Sequence, residues 1–249
     1  MRPSGPRPTL IVVIHDPAVA GRGLASPGAR AGDNGEVTDT MLSLFEEDLS
    51  PAPVAAAAAP HLRRIVADST DRVAWLRARA QGITATDVAK LATPKSVQSA
   101  AFDKFNGSSF SGNTFTDHGR AREPEIAAWV LGNYGIEPST TLFHAAEHRR
   151  HLATPDGVGT GAGGLELAEI KTTSKPWRSI PRSYLRQVWW QQYVLGAERT
   201  LLVWEQHKDF VPVNQEPECR WIERDDDQIA ILVGYANDLI ARLNTMSAR

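Results

Sequence analysis

Two carboxylates and a lysine are spaced in this sequence in a way that suits metal-assisted phosphodiester chemistry. Asp156 lies in a predicted turn, and Glu169 and Lys171 lie two residues apart in a predicted strand over residues 165–172. Because alternate side chains of a strand project from the same face, this carboxylate and this ammonium stand side by side. Oxygen ligands hold Mg²⁺, and a lysine can steady a water or a developing negative charge.

Two predicted helices flank the strand and must position its side chains. The first covers residues 117–134 and carries Glu123 near its start, where the helix dipole favours a carboxylate even without a catalytic role. The second covers residues 181–195, and its spacing puts Tyr184, Gln187 and Gln191 along one side. Basic residues alternate with aromatic ones here, which fits either a groove for a nucleic-acid strand or an amphipathic helix with core tryptophans.

A further basic and hydroxyl pair lies near the start of the folded body. Arg79 ends one predicted helix, Gly82 stops it, and Thr84 is placed to cap a new helix that carries Thr86 in its first turn. A guanidinium, a hydroxyl and free amides could together bind a phosphate. The alternative is an ordinary solvated arginine near a helix start.

Two other patterns resemble functional motifs more weakly. The glycine-rich run over residues 157–164 lacks the Lys-Ser/Thr of a phosphate-binding loop and leads into a strand, so we interpret it as a flexible hairpin loop. The acids Asp225, Asp226 and Asp227 precede an amphipathic C-terminal helix. Acids are common in the first turn of a helix, which favours a structural role over a metal site there.

Composition excludes several classes of protein. The 249 residues carry a net charge of −2, so nucleic-acid contact must depend on local basic patches. A single cysteine, Cys219, excludes an internal disulfide and a four-cysteine metal site within the chain, and it favours a reducing, cytoplasmic setting. No apolar run approaches the roughly 20 residues that span a bilayer.

The chain divides by composition near residue 60. Residues 1–60 are rich in Pro, Gly, Ala and Ser and predict a flexible extension and linker, and residues 61–249 form the predicted catalytic domain. Within the extension, residues 39–49 combine acids with Met41, Leu44 and Phe45. This island is either a docking helix or a disordered segment with incidental apolar residues, and the second interpretation is favoured.

Five places in the body resemble the lambda-exonuclease or YqaJ-like viral recombinase family of the PD-(D/E)XK nuclease superfamily. They occur in the family's order over roughly residues 75–206: Arg79 before Ile83-Thr84-Ala85-Thr86, Gly119 with Glu123, Pro155-Asp156-Gly157, Glu169-Ile170-Lys171, and Tyr184-x-x-Gln187. The resemblance implies an α/β (α+β) fold. Its restriction-endonuclease-like core would be a central mixed sheet flanked by helices, here with an irregular N-terminal extension.

The resemblance also implies a role for each matched residue. Asp156, Glu169 and the Ile170 carbonyl would hold Mg²⁺, with Mn²⁺ as an alternative, and Glu123 would lie near a second metal. Lys171 would orient the attacking water or offset charge, and Gln187 would lie beside the active centre. Arg79 and Thr86, where the family more often has serine, would hold a terminal 5′-phosphate, and Tyr184 would contact DNA.

The implied activity is Mg²⁺-dependent digestion of linear double-stranded DNA from its ends, 5′ to 3′, with 5′-phosphate products, in phage-type recombination or repair. Two alternatives remain: a structure- or sequence-specific endonuclease of the same superfamily, and a non-catalytic DNA-end-binding or partner-recruiting protein. Expected partners are DNA ends, a single-strand annealing protein and further copies in a homotrimer, with no membrane. The expected location is cytoplasmic, in the bacterial host if a phage encodes the protein.

Overall fold

The computed structural model of the chain describes residues 59–107 and 114–248. Almost all of the predicted extension, residues 1–58, and with it the acidic island at 39–49, lies outside the described residues. The predicted catalytic domain at 61–249 is described except for residues 108–113 and the last residue.

Six α-helices and a short 3-10 helix occur in the described part of the chain. The α-helices are α1 (Arg72–Gln81), α2 (Ala85–Val88), α3 (Pro94–Phe105), α4 (Thr114–Tyr134), α5 (Arg182–Leu195) and α6 (Asp226–Ser247), and the 3-10 helix is Pro60–Arg64. Local sequence explains several of their ends. Thr84 caps α2 by accepting from the Asp87 amide, Asp225 caps α6 by accepting from the Gln228 amide, and Gly196 ends α5 in the left-handed conformation that glycine adopts most easily.

The strands form two mixed sheets. They are β1 (Ile65–Asp68), β2 (Ile83–Thr84), β3 (Glu137–Pro138), β4 (Thr141–His144), β5 (His151–Ala153), β6 (Gly157–Gly161), β7 (Gly164–Thr173), β8 (Arg199–Lys208), β9 (Val211–Pro212) and β10 (Glu218–Glu223). The smaller sheet has the order β1-β4-β5-β2. The larger has the order β10-β8-β7-β6-β3, and β9 pairs with β8. Within it, β7 lies parallel to β8 and antiparallel to β6.

The strand that carries Glu169 and Lys171 is buried between two helices. Leu167 of β7 belongs to the same apolar cluster as Trp190 of α5, whereas Ala168 and Ile170 pack with Ile126 of α4. The predicted alternation along this strand is therefore confirmed, and α5 and α4 cover opposite faces of the sheet. Burial of each large apolar side chain contributes about 1.5–3 kcal/mol, so this layering fixes the strand firmly.

Three predicted elements differ from the structure. The glycine-rich run is not a flexible loop, because Gly157–Gly161 forms β6 and pairs with β7. A Cβ on Gly161 would lie 2.1 Å from a carboxylate oxygen of Glu166, so the glycine makes room for this side chain. The helix predicted after Thr84 is a single turn, and the helix predicted over residues 117–134 begins earlier, at Thr114.

None of the helices in the described part of the chain is both long and apolar enough to cross a membrane.

Candidate active site

Asp156 and β7 are joined by the hydrogen bonds of a hairpin. Asp156 directly precedes β6, and Gly157 at the start of β6 pairs with Ala168 of β7. The Asp156 amide donates to the Ala168 carbonyl at 3.1 Å, and the Ile170 amide donates to Asp156 Oδ2 at 2.7 Å. The Asp-Gly turn predicted from the sequence therefore fixes its carboxylate against the strand that carries Glu169 and Lys171.

Glu169 is almost fully buried and has a partner on each carboxylate oxygen. Oε1 contacts the Lys171 ammonium, as the shared strand face predicts, and Oε2 accepts a hydrogen bond of 2.6 Å from Gln191 Nε2. The Lys171 ammonium also lies 5.4 Å from the centroid of the Tyr184 ring, within the range of a cation–π contact. The strand and α5 thus hold one carboxylate and one ammonium in a fixed relation.

Glu123 approaches the same group from α4. The prediction that it lies at a helix start is wrong, because α4 begins at Thr114 and Pro124 lies inside the helix. Proline favours the first turn, which explains the misplaced boundary, and the dipole argument for this carboxylate no longer applies. Next to Glu123, Arg122 forms a two-pronged ion pair with the buried Glu205 of β8, with N–O distances of 2.9 and 2.7 Å, which ties α4 to the sheet.

A cleft of about 510 Å³ opens at this group; Asp156 and Glu169 do not line it themselves but contact Ile170 and Lys171, which do. Its lining residues include Glu123 of α4, Ile170 and Lys171 of β7, and Tyr184 of α5. A larger cavity of about 860 Å³ lies between α3 and α6. Asp103, Asp238 and Arg242 there carry charge, but none of the residues in the five matched motifs lines this cavity. We therefore place the candidate site at the smaller cleft.

The acids of the cleft repel one another and are partly balanced by Lys171. Burial raises the pKa of Asp156 well above its usual range, and the carboxylates of Glu169 and Glu123 add to the rise. Burial also raises the pKa of Glu123, with a further contribution from Glu169. Burial lowers the pKa of Lys171, but Glu169 and Asp156 outweigh it and leave that pKa above its usual value. The Lys171 ammonium therefore stays charged, whereas simultaneous ionisation of the neighbouring carboxyl groups is unfavourable.

The donor set fits a divalent cation with oxygen ligands. Among the described residues, no group of three His, Cys, Asp or Glu side chains is close enough to enclose a metal. Mg²⁺ does not require one, because it often takes one or two carboxylates and keeps several waters. Asp156 and Glu169 are the candidate carboxylates, with the Ile170 carbonyl beside them, and a cation would offset the repulsion that raises the pKa of Asp156.

The second predicted group, Arg79 and Thr86, lies on α1 and α2. The Arg79 guanidinium stacks over the Trp75 ring at 4.3 Å, and burial lowers its pKa despite the opposing charge of Asp87. Thr84, not Thr86, caps α2, and the Thr86 side chain is exposed. Arg186 of α5 donates to the Ala89 carbonyl at 3.0 and 2.8 Å, which links α2 to the helix that carries Tyr184. A phosphate-binding role for Arg79 and Thr86 stays a prediction.

Gln191 is the residue that sequence reasoning did not assign. The family motif pointed to Gln187, which is half-buried on α5 and whose side chain makes no hydrogen bond within the described ranges 59–107 and 114–248. Gln191 lies one turn further along and makes the contact with Glu169. The available signal was the four-residue spacing, which put both glutamines on one helix side. The role of Gln187 stays a prediction.

Comparisons with known proteins agree on the fold and on a family. A family model for the YqaJ-like viral recombinase domain matches residues 74–198. The structure is similar to that of an alkaline exonuclease (LHK-Exo) from Laribacter hongkongensis, with a TM-score of 0.56, 23% identity and coverage of 69% of this chain and 92% of that one. The same exonuclease in complex with dAMP gives a TM-score of 0.54 at 23% identity, with the same coverage of both chains.

A phage related exonuclease from Haemophilus somnus 129PT is also similar, with a TM-score of 0.54, 14% identity and coverage of 67% of this chain and 95% of that one. At these identities the likeness is one of fold, and it confirms the predicted α/β core with a mixed sheet flanked by helices. No curated protein gives a significant match to the chain.

Proposed function

The chain belongs to the YqaJ-like viral recombinase domain family, and on that premise we propose that it is a metal-dependent exonuclease acting on the ends of linear double-stranded DNA. The observation that carries the proposal is the setting of Lys171. Its ammonium contacts Glu169, interacts with Asp156 and faces the Tyr184 ring in an open cleft. Carboxylates that can hold a metal, with a fixed ammonium beside them, are the groups that hydrolysis of a phosphodiester requires.

Each chemical role falls to a side chain of the cleft. Asp156, Glu169 and the Ile170 carbonyl would hold Mg²⁺ or Mn²⁺, and Glu123 would lie near a second ion. The bound ion supplies a water of lowered pKa and offsets charge on the phosphate. Lys171 would orient the attacking water and stabilise the negative charge that develops on the phosphate oxygens. The water oxygen would bond to phosphorus as the P–O3′ bond breaks, so that the 3′ oxygen leaves as a hydroxyl and the released nucleotide keeps the 5′-phosphate.

Tyr184 and Gln191 position the charged pair. The Tyr184 ring faces the Lys171 ammonium, and Gln191 fixes the orientation of the Glu169 carboxylate through its hydrogen bond of 2.6 Å. A hydrogen bond that orients a metal-ligating carboxylate commonly changes activity by about 10- to 100-fold when it is lost. By resemblance to the family, Gln187 would also lie near the reacting phosphate.

Arg79 and Thr86 would receive the terminal 5′-phosphate, which sets a 5′-to-3′ direction. The Arg79 guanidinium has its face on Trp75 and its charge only partly offset by Asp87, so it can still pair with an anion. In an Arg79→Ala variant, the preference for 5′-phosphorylated over 5′-hydroxyl duplex ends should fall by about tenfold or more, the effect of one charge-assisted contact. An unchanged preference would remove the phosphate site.

The assay for the proposed function is degradation of end-labelled linear duplex with and without Mg²⁺. Wild-type protein should shorten the duplex only with the metal, and Asp156→Ala should lower the rate by at least about 100-fold, because loss of a metal ligand costs at least as much as loss of a side chain that orients one. Asp238→Ala is the matched control, because it removes an exposed aspartate from α6, beside the other cavity. An Asp156→Ala variant as fast as the parent would show that the site is wrongly assigned.

The same assay separates the two alternatives. Closed circular duplex should survive, because an exonuclease needs an end, and its digestion would favour the endonuclease. Binding of ends without turnover would favour the recruiting protein. Label placed on the 5′ end should be released first as mononucleotide if the direction is 5′ to 3′.

The partners are also part of the proposal. By family resemblance we expect a homotrimer that encircles the duplex and a single-strand annealing protein that receives the product strand. Sedimentation of the full chain that finds only monomers at assay concentration would contradict the trimer.

A further inference from the structure

Two exposed aromatic rings, Phe115 and Phe210, form what we call the aromatic ledge beside the cleft. Phe115 lies in the first turn of α4 and lines the cleft together with Glu123 and Lys171. The two ring centroids are 5.4 Å apart, and the residues are 53% and 40% exposed. Large aromatic side chains are usually buried, so an exposed pair at a cleft containing acids and a lysine calls for an explanation.

The backbone at Phe210 is unusual for an aromatic residue. Asp209 and Phe210 form the two-residue connection between β8 and β9, since Lys208 pairs with Val211. Both have positive φ angles, 51° and 67°. A two-residue turn of this kind favours Asn-Gly. A bulky residue is rare in the left-handed region, which glycine adopts without strain. A strained aromatic at an exposed position indicates that the ring has a use beyond closing the turn.

The imidazole rings of His207 and His118 pack against the Phe210 ring of the ledge. The His207 ring stacks on Phe210 with 15° between planes and 5.5 Å between centroids, and the His118 ring lies 5.3 Å from Phe210. His207 is buried, so packing restricts the movement of the imidazole ring on which Phe210 stacks. The ledge is therefore held in place before any ligand arrives, which lowers the entropy cost of binding to it.

We propose that the aromatic ledge stacks unpaired nucleobases of the DNA strand that enters the cleft; this rests on the proposed function. Aromatic faces bind any base, which suits an enzyme that must process every sequence. Arg120, which pairs with the exposed Asp117, lines the cleft together with Phe115, and the exposed Lys208 ends β8 just before the Phe210 turn. Each ring therefore has an exposed cation on its own part of the chain that can pair with a phosphate. This combination of π faces and cations matches single-stranded DNA better than an apolar protein surface.

The test pairs protein variants with altered DNA. Phe210→Asn removes the ring but suits the left-handed backbone, and Phe115→Leu keeps an apolar side chain without a π face. Phe210→Tyr restores a stacking face. Phe102→Leu is the matched control, because it makes the same change at another exposed phenylalanine, on α3. Binding is measured by fluorescence anisotropy in Ca²⁺ with a single-stranded oligonucleotide and with the same strand carrying abasic residues.

Stacking predicts a loss that depends on the bases. Phe210→Asn and Phe115→Leu should each raise the Kd for the normal strand by about fivefold or more, the lower end for one base–aromatic stack. For the abasic strand, parent and variants should bind alike, because no base remains to stack. Phe210→Tyr should recover the parent Kd, and Phe102→Leu should match it on both strands.

Other outcomes overturn the ledge in distinguishable ways. Equal Kd values for parent, Phe210→Asn and Phe115→Leu on the normal strand, in a protein that degrades DNA, refute the stacking role and leave the proposed function standing. A parent that neither binds nor degrades DNA refutes both. If the parent self-associates and Phe210→Asn dissociates it without a base-dependent loss, the ledge is a contact between copies instead.

Discussion

Replacing Gln191 with methionine should separate activity from stability. Gln191 is fully buried on α5, and its Nε2 donates to Glu169 Oε2 at 2.6 Å. Its Oε1 is also buried and has no hydrogen-bond partner among the described residues. Methionine keeps an unbranched side chain of similar size and removes both polar atoms. The change therefore deletes one favourable contact and one unfavourable group together.

The two effects on the free energy of unfolding partly cancel. A hydrogen bond to a charged group contributes about 1.5–3 kcal/mol, and a buried polar atom without a partner costs about 1–3 kcal/mol. Because the substitution relieves Oε1 of Gln191 but leaves Oε2 of Glu169 buried without its donor, Gln191→Met should lose no more than about 3 kcal/mol of the free energy of unfolding. The nuclease rate should still fall by about 10- to 100-fold, because Glu169 loses the donor that orients it.

Gln192→Met is the matched control one residue along. Gln192 is equally buried, and its Oε1 also lacks a partner in the described part of the chain, but its Nε2 donates to Thr200 Oγ1 at 3.1 Å and to the Ile222 carbonyl at 2.8 Å. These contacts lie away from Glu169, so Gln192→Met should keep the parent rate. Urea unfolding and the end-labelled duplex assay measure the two quantities. A parent-like rate in Gln191→Met, or loss of more than about 3 kcal/mol of stability, would refute the reasoning.

Two further predictions concern stability. Arg122→Met leaves the Glu205 carboxylate buried without its counterion, so urea unfolding should show a loss of about 3–5 kcal/mol in the free energy of unfolding. Most of that loss should be recovered when Glu205 is also replaced by methionine, and a double variant as unstable as the single one would contradict this explanation. Burial lowers the pKa of His151 to about 4 from a usual 6.5, so below pH 6.5 the unfolded chain binds the proton more readily. Stability should therefore fall as pH drops from about 6.5 to 4, by up to about 3 kcal/mol, and a His151→Asn variant with the same pH profile would show that the loss has another source.

Local sequence predicted the elements whose signals are local. The alternation along residues 165–172 gave the shared face of Glu169 and Lys171, and the structure puts their side chains in contact. The cap at Thr84 was likewise predicted, because it depends on one residue and its neighbours along the chain.

Features that depend on distant residues were not predictable in this way. Which glutamine of α5 reaches Glu169 depends on how far the helix is shifted along β7, and no residue within α5 encodes that shift. The glycine-rich run has only Val158 and Thr160 to alternate with its glycines, a weak strand signal, yet β6 forms because its glycines fit against Ile136 and Glu166. Glu123 was predicted near the start of a helix over 117–134, but α4 begins at Thr114 and runs through Pro124, with Ile126 packed in the core.

The charge balance of the cleft limits what can complete it. Glu123, Asp156 and Glu169 carry three negative charges when ionised. Lys171 supplies one positive charge and Arg120, which also acts on Glu123, supplies a second, so the group carries a net charge of −1. A DNA phosphate would add a further negative charge to this group. With a phosphate present the net charge would be −2, which one divalent ion would neutralise and a monovalent ion would not. On the proposed function, we therefore expect a divalent metal to strengthen DNA binding as well as to support hydrolysis.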